Sequence, residues 1–337
     1  MRVALRWLTM SIILLAGSLM GETSSSTVGM TKLYVTNSLG DDITVIDLRT
    51  FKVVEDIKVG EHVHGLCAPA DGRRLFTTIE SEDKLKVIDT ATGRVVDTIS
   101  LTGRPNQCAA TPDGRFVGVP IRDKDSVDIV DTTLSRVVKT LPVKMPHNCY
   151  NAGNNRDMFV SSMGDGEIDR IDLKTMDYVQ KIPMGGVPRP YAVSKNEKVL
   201  YAALTDLHGF VIASIPDQKV TARVELPPAP PLHCALEPHT PTHGLELSPD
   251  GKELWVTSLA DAGVYVYDVR TKKLSKEIPT GKCPNWVAFS RDGQYCFVSN
   301  SESGDCSIIN TETRREVARI KVGKGPKRLL AVSVPPE

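Results

Sequence analysis

The sequence lacks a net charge. Its 337 residues include 41 Lys and Arg and 41 Asp and Glu, so the formal charge at pH 7 is zero. A nucleic-acid partner would normally require an excess of positive charge to neutralise phosphates. We therefore expect no nucleic-acid partner. The hydrophobic content of 41% is nevertheless enough to build a core.

Common catalytic and cofactor motifs are missing as well. No GxSxG, HExxH, P-loop or dinucleotide fingerprint is present, and the absence of CxxCH excludes covalently attached c-type haem. None of the seven cysteines forms a CxxC pair. Cys67, Cys108 and Cys149 recur in equivalent strands of successive repeats, so we expect unbridged core residues kept apart by intervening structure. A weaker hypothesis pairs Cys283 with Cys306.

An apolar run long enough to span a membrane is also missing. Arg2 and Arg6 precede the apolar segment Leu8 to Leu19, which is shorter than the roughly 20 residues a spanning helix needs. This layout predicts a secretory signal peptide over residues 1–21, followed by a short linker over residues 22–31. We therefore expect a secreted or periplasmic protein with no membrane span in the mature chain. A membrane anchor is the alternative.

Helical periodicity is absent beyond that segment, and a strand repeat takes its place. A short apolar strand beginning at Leu33 returns in six further units, each followed by an alternating run that ends on Asp, or on Ser214 or Asn310. Asp at this place favours a side-chain-capped reversal between two strands. Four short strands per unit of about 42 residues, seven times over, predict an all-β, seven-bladed β-propeller with four antiparallel strands per blade.

The repeat units resemble the YVTN family of β-propeller repeats, whose name is spelled by Tyr34-Val35-Thr36-Asn37. The resemblance covers roughly residues 32 to 334 and implies a single propeller domain over residues 32–337. It indicates a fold and leaves the activity open. Because the chain begins with a second strand at Lys32 and ends with a first strand at Lys327 to Val334, we predict that the C-terminal strand closes the first blade.

One unit carries an insert of about a dozen residues, centred on residues 227–240. It is rich in proline and contains His233, Cys234 and His239. Such a segment is either a stiff surface loop or a lid over the central channel.

Counting back from the hairpin of each unit selects one polar residue at the start of each innermost strand. Proline precedes most of these positions, and His-Gly-Leu occurs at two of them. Because innermost strands surround the central channel, we expect these side chains to meet at one end of it. This ring consists of His64, Asn106, His147, Arg189, His243, Asn285 and Lys327.

Three imidazoles with an open position are a catalytic metal geometry, with zinc as the default and copper or iron as alternatives. His64, His147 and His243 are therefore the candidate ligands of a divalent metal.

The other ring members suit catalysis beside that metal. Arg189 and Lys327 are candidates for binding an anion or an oxyanion, and amides such as Asn106 and Asn285 can orient substrate or water. Further residues are expected at the rim, the last two as an apolar wall: His208, His233, His239, Trp286 and Tyr191.

Three functions remain open. The first is a metal-dependent lyase or hydrolase acting on a small anionic molecule in the channel, with another loop histidine as general base. The second is a non-catalytic scaffold that presents the same face to a protein or polymer. The third is a redox accessory protein that binds copper or a quinone. A lid-like insert would favour the enzyme, whereas a projecting arm would favour the scaffold.

Overall fold

The computed structural model describes residues 30–237 and 240–335. The predicted signal peptide, most of the predicted linker and His239 lie outside the described residues. Within these two ranges the chain forms strands and one turn of 3-10 helix, Arg122–Lys124. No helix among the described residues is both long and apolar enough to cross a membrane.

The strands follow one another along the chain with these bounds: β1 (Met30–Asn37), β2 (Asp42–Asp47), β3 (Lys52–Lys58), β4 (Val63–Cys67), β5 (Arg74–Ile79), β6 (Lys84–Asp89), β7 (Arg94–Ser100), β8 (Ala109–Ala110), β9 (Phe116–Ile121), β10 (Ser126–Asp131), β11 (Arg136–Pro142), β12 (Pro146–Tyr150), β13 (Asp157–Ser162), β14 (Glu167–Asp172), β15 (Asp177–Pro183), β16 (Pro188–Val193), β17 (Val199–Leu204), β18 (Gly209–Ser214), β19 (Lys219–Glu225), β20 (Thr242–Leu247), β21 (Glu253–Ser258), β22 (Gly263–Asp268), β23 (Lys273–Leu274), β24 (Ile278–Pro279), β25 (Pro284–Phe289), β26 (Tyr295–Asn300), β27 (Asp305–Asn310), β28 (Arg315–Lys321) and β29 (Pro326–Val334).

These strands form seven antiparallel sheets, which confirms the predicted seven-bladed propeller. Blade 1 has the order β29-β1-β2-β3, so the C-terminal strand closes the ring as predicted. Blades 2 to 7 then begin with the innermost strands β4, β8, β12, β16, β20 and β25. In blade 6 the outer strand is split into β23 and β24, which both pair with β22.

Short polar side chains shape the turns inside each blade. The Asn37 amide donates to Asp42 Oδ1 at 2.7 Å across the β1–β2 turn, and Asn300 repeats this bond to Asp305 at 2.8 Å. At the next turn Asp89 Oδ1 accepts from the Thr92 backbone at 2.8 Å. Asn310 replaces that Asp in blade 7 and accepts from Thr313 N at 2.9 Å. The predicted capped reversals are confirmed.

The innermost strands carry a β-bulge where the ring residues lie. In blade 2, Val63 pairs with Ile79 and Leu66 with Thr77, so His64 and the following glycine face one residue on the neighbouring strand. Blades 4, 5, 6 and 1 show the same shift. An extra residue in one strand bends it and re-aims side chains. The bulge therefore places two consecutive residues of these five strands opposite a single residue of the neighbouring strand.

The glycine in each His-Gly-Leu stretch is required by close backbone approach. A Cβ at Gly65 would lie 2.7 Å from Asn106 O and 2.9 Å from Cys108 N of the next blade. At Gly244 it would lie 2.6 Å from Asn285 O. All three distances are shorter than a carbon atom tolerates, so only glycine lets neighbouring innermost strands approach this closely.

The cysteines partly contradict the sequence predictions. The disulfide joins Cys234 to Cys283, with their Cα atoms 5.6 Å apart, and Cys306 is free, so the pairing of Cys283 with Cys306 was wrong. The bond ties the insert to the loop before β25, a contact outside the repeat pattern. Cys67, Cys108 and Cys149 are unpaired as predicted. They are not kept apart, however, because the bulges bring Cys67 Sγ within 3.0 Å of Cys108 Sγ.

Candidate functional site

The ring residues occupy the predicted register at one end of the channel. In six blades the ring residue is the second residue of its innermost strand, and Asn106 lies shortly before β8. The three histidines and both asparagines are buried, whereas Arg189 and Lys327 are half-buried. The repeat therefore sets the strand position of each ring member, and the role of these residues in binding or catalysis stays a prediction.

The third residue of the YVTN signature holds this ring in place. Thr36 Oγ1 accepts from Arg328 N at 3.0 Å and lies 3.2 Å from His64 O of the next blade. Thr78 likewise accepts from Gly65 N at 2.7 Å and donates to Asn106 O at 2.9 Å. A hydroxyl can donate and accept at once. Each such hydroxyl thus satisfies the bulge in its own blade and links it to the next.

His243 has a defined tautomer. Its Nδ1 lies 3.0 Å from Asn285 O, a carbonyl that only accepts, so Nδ1 carries the proton. Its Nε2 is buried without a hydrogen-bond partner. Burial, opposed by Glu237, lowers the pKa of His243 to about 3. The imidazole is therefore neutral at pH 7 and directs a free lone pair away from Asn285.

His64 is oriented by a carboxylate. Its Nδ1 contacts Glu80, which is itself held by Arg104 through an Nε–Oε2 bond of 2.9 Å. Burial, aided by Lys327 and Arg328 and opposed by Glu80, lowers the pKa of His64 to about 4. Burial opposes ionisation of Glu80, but the His64 and Arg104 contacts outweigh it and lower the pKa of Glu80 to about 2. At pH 7 a neutral His64 thus donates to a Glu80 carboxylate and keeps Nε2 unpaired.

His147 lies beside His243. Their ring centroids are 5.9 Å apart in an edge-to-face arrangement, and His147 Nδ1 is buried without a partner. Burial, together with nearby Arg189, holds the pKa of His147 well below its usual range.

The three histidines do not form a compact ligand set in residues 30–237 and 240–335. One trio of His, Cys, Asp or Glu ligand atoms in that part of the chain lies within 4.8 Å of one another: Cys234, Cys283 and Glu302. Its two sulfurs are joined in the disulfide, so they are not thiolate ligands. A metal shared by His64, His147 and His243 would need their nitrogens to move closer, and metal binding stays a prediction.

A buried arginine that the sequence analysis missed lies among these residues. Arg328 is 1% exposed and donates to Gln107 Oε1 at 3.1 Å and Asn285 Oδ1 at 3.2 Å. Its guanidinium lies 3.9 Å from the ring centroid of Trp286. Burial lowers the pKa of Arg328 to about 10, so it remains charged at pH 7. Arg328 and Lys327 together form the bulge in β29, opposite Thr36 of β1.

The insert supplies a carboxylate that was also missed. Glu237 Oε1 lies 3.1 Å from Lys327 Nζ and 3.9 Å from His243 Nε2. Burial opposes its ionisation, but His243, Lys327 and Arg189 lower the pKa of Glu237 to about 2. Glu237 lies outside the repeat, so counting along the repeat could not reveal it. Through Glu237 the described part of the insert thus lies beside two ring residues, Lys327 and His243, and a lid function stays a prediction.

The ring contains buried polar atoms without a hydrogen-bond partner among the described residues. Four buried side-chain atoms of the ring have no hydrogen-bond partner among the residues that the structure describes: His64 Nε2, His147 Nδ1, His243 Nε2 and Asn285 Nδ2. Buried polar groups in proteins are nearly always paired with protein, water or a ligand. These four atoms belong to residues at the same register of four innermost strands, so they lie at one level of the propeller.

The sequence matches the YNCE-like beta-propeller family over residues 69–241, just over half of the chain. The chain belongs to this family. Among curated proteins, antigen Lp49 of Leptospira interrogans is 28% identical over 149 residues, which are 42% of this chain and 30% of that protein. The matched region thus spans less than a third of that relative's length.

Solved structures agree with the YNCE-like fold. The Pseudomonas aeruginosa periplasmic gluconolactonase superposes with a TM-score of 0.72 at 18% identity and covers 91% of this chain and 100% of its own. Kuenenia stuttgartiensis hydrazine synthase gives 0.71 at 18% identity, with 88% and 99% covered. At such identities the likeness shows the fold alone.

The other predicted site residues of the YNCE-like propeller make different contacts. Asn106 Oδ1 accepts from Gln107 N at 2.8 Å. Tyr191 lines a cavity at the opposite end of the channel, as does Trp286, which also lies 6.2 Å from His243. His208 bonds to Ser258 Oγ at 2.8 Å. His233 is exposed on the insert. These placements leave the histidines and the cations as the chemically competent set.

Proposed function

We propose that this YNCE-like propeller is an extracytoplasmic hydrolase or lyase that binds a small carboxylate-bearing molecule at the ring. The observation that carries the proposal is the layer of unpartnered polar atoms on neutral histidines beside three cationic side chains. Those cations are Arg189, Lys327 and Arg328. Cations beside unpartnered hydrogen-bonding groups favour an anion whose polar groups pair with both.

The position of Glu237 supports a carboxylate as the ligand group. Its carboxylate lies 3.1 Å from Lys327 Nζ, and Arg189 is close enough to lower its pKa. A carboxylate is therefore compatible with this cation cluster. A ligand carboxylate would take the same place once Glu237 moves aside, and its remaining polar groups would face the histidines.

His64 suits the role of general base. Glu80 orients its ring and holds the proton on Nδ1, which leaves the Nε2 lone pair unpaired. A carboxylate behind an imidazole stabilises the imidazolium that forms when the base takes a proton. In hydrolysis Nε2 would take a proton from water, and in elimination from a substrate carbon. Arg328 and Lys327 would stabilise the negative charge that develops.

An extracytoplasmic location is supported by two observations. Residues 1–21 have the pattern of a secretory signal peptide. The Cys234–Cys283 disulfide belongs to a compartment where thiols are oxidised.

Ligand binding can be tested with acetate, lactate, gluconate and phosphate as probes. Trp286 contacts both Arg328 and His243, so its fluorescence should report an anion bound in the ring.

Glu237→Gln should raise the affinity for carboxylates at least tenfold, because about 1.4 kcal/mol of competition is removed. Lys327→Gln should lower it. Glu225→Gln, an exposed carboxylate outside the ring, is the matched control. If no probe alters the signal of wild type or Glu237→Gln, the proposal is wrong.

Catalysis can be tested by acid release from small sugar-acid lactones that keep a second, free carboxylate. His64→Gln should reduce the rate by a factor of about 10² to 10⁴, the usual contribution of a general base. Equal rates in wild type and variant would remove His64 from the mechanism.

A divalent ion is the second candidate occupant, as zinc, copper or iron. The supporting observation is that His64, His147 and His243 are neutral and keep unpaired ring nitrogens, as metal ligands must. Metal analysis of the purified protein, with and without added zinc, tests this. Stoichiometric zinc in wild type that is lost in His147→Ala and retained in His62→Ala would support the metal. Zinc retained in both variants would reject it.

A further inference from the structure

A pair of thiols lies in the channel wall below the ring. Cys67 Sγ and Cys108 Sγ are 3.0 Å apart, and they come from the innermost segments of blades 2 and 3. A disulfide bond is about 2.05 Å long, so an approach of roughly 1 Å separates this pair from a covalent bond. The pair is separate from the Cys234–Cys283 bond, which lies at the insert.

The pair is accessible through a cavity. A space of about 210 Å³ at the end of the channel opposite the ring is lined by Cys67, Cys108 and Cys149. Cys67 is 8% exposed and Cys108 is 1% exposed. A small reagent entering this cavity therefore meets Cys67 first.

We propose that Cys67 and Cys108 are a redox-active dithiol that closes to a disulfide across blades 2 and 3. The oxidant is a disulfide, either a small aliphatic one or one carried by a protein. The Cys67 thiolate attacks a sulfur of the oxidant, forms a mixed disulfide and releases one thiolate. The Cys108 thiolate then attacks Cys67 Sγ and releases the second. Two protons pass from the cysteines to the released thiolates, and the two electrons reduce the oxidant to two thiols.

The bond would reinforce the weakest innermost strand. β8 has two residues, Ala109–Ala110, whereas the other innermost strands have five or more. The segment before it depends on Gln107, whose side chain bonds to Leu66 O at 3.0 Å and whose carbonyl accepts from Cys149 N at 3.1 Å. Gln107 also accepts from Arg328. A Cys67–Cys108 bond would hold this segment in place beside the Arg328 guanidinium.

Thiol counting on the folded full chain tests the proposal. Protein purified with a mild reductant that spares Cys234–Cys283 has five free thiols. It is treated with 2-hydroxyethyl disulfide, acid-quenched, denatured and alkylated. We expect three alkylated thiols and a peptide that joins Cys67 to Cys108. The rate should rise with pH, because burial, aided by neighbouring thiols, raises the pKa of Cys67.

Variants distinguish this pair from nonspecific oxidation. Cys67→Ser should lose the crosslink and keep four thiols. Cys108→Ser should also lose the crosslink but stop at the mixed disulfide, with three thiols and the reagent's thiol attached to Cys67. Cys149→Ser should still lose two thiols. Oxidation should also raise the urea midpoint of wild type and of Cys149→Ser, and leave Cys67→Ser unchanged. Five thiols remaining in oxidised wild type would overturn the proposal, as would a crosslinked peptide that contains Cys149. Because the peptide map uses wild type, a variant that fails to fold does not remove the test.

Discussion

The neutral ring histidines make stability depend on pH. Burial is the main cause that lowers the pKa of His64 to about 4 and of His243 to about 3 in the folded protein, against about 6.5 in the unfolded chain. Below pH 6.5 these two histidines bind protons in the unfolded chain but stay neutral in the folded protein. The free energy of unfolding must therefore fall as the pH drops from about 6.5 toward 3, by up to about 1.4 kcal/mol per pH unit for each histidine.

His243→Gln should flatten this dependence. We expect the free energy of unfolding, measured by urea titration between pH 7 and 5, to change less steeply in the variant than in wild type. His62→Gln is the matched control, because His62 is exposed and lies outside the ring register. Parallel curves for wild type and His243→Gln would show that His243 does not remain neutral in the folded protein.

Two charged residues that lie beside the ring, Arg328 and Glu237, could not be predicted from the sequence. The seven ring positions follow from the repeat, and six of them are the second residue of an innermost strand. Arg328 was missed because an ordinary strand alternates its side chains, and the bulge that places Lys327 and Arg328 opposite one residue leaves no signal in the hydrophobic pattern. Glu237 was missed because an insert has no repeat to count along. Both depend on tertiary contacts, which a single sequence does not contain.

At the scale of the strand, the bulge depends on Gly65. Alanine there would place a Cβ 2.7 Å from Asn106 O and 2.9 Å from Cys108 N, both backbone atoms that cannot rotate away. Gly65→Ala should therefore reduce the free energy of unfolding by roughly 1–3 kcal/mol, the usual cost of overpacking. Urea unfolding of the variant measures this.

Gly40→Ala controls for the general effect of replacing glycine. A Cβ at Gly40 would lie 3.3 Å from its nearest neighbour, Asn37 O, at a surface turn. We expect its unfolding midpoint to stay close to that of wild type. Equal urea midpoints for Gly65→Ala and Gly40→Ala would mean that blades 2 and 3 can move apart at Gly65 without loss of stability.

At the scale of the whole molecule, ring closure was predictable because the first repeat is visibly split between the two ends of the chain. β1 and β29 pair from Met30–Val334 to Asn37–Pro326, which confirms it. The cysteine arrangement was less predictable. Cys234 and Cys283 are 49 residues apart in sequence, and their proximity depends on the path of the insert over blade 6. Nothing in the repeat specifies that path.

Closure by one strand makes the whole ring depend on the C-terminus. Deleting residues 327–337 removes nearly all of β29, exposes the paired edge of β1 and takes away both Lys327 and Arg328. The core cluster between blades 1 and 7 loses Leu329, and the cluster between blades 1 and 2 loses Val332. Because the blades form a closed ring, an opened propeller exposes core surface on both sides of the gap.

We expect the truncated chain to lose the single cooperative transition that full-length protein shows when circular dichroism and Trp fluorescence are followed in urea. Deleting residues 335–337, which follow β29, should leave that transition in place. Unchanged melting of the longer deletion would contradict closure by the C-terminal strand.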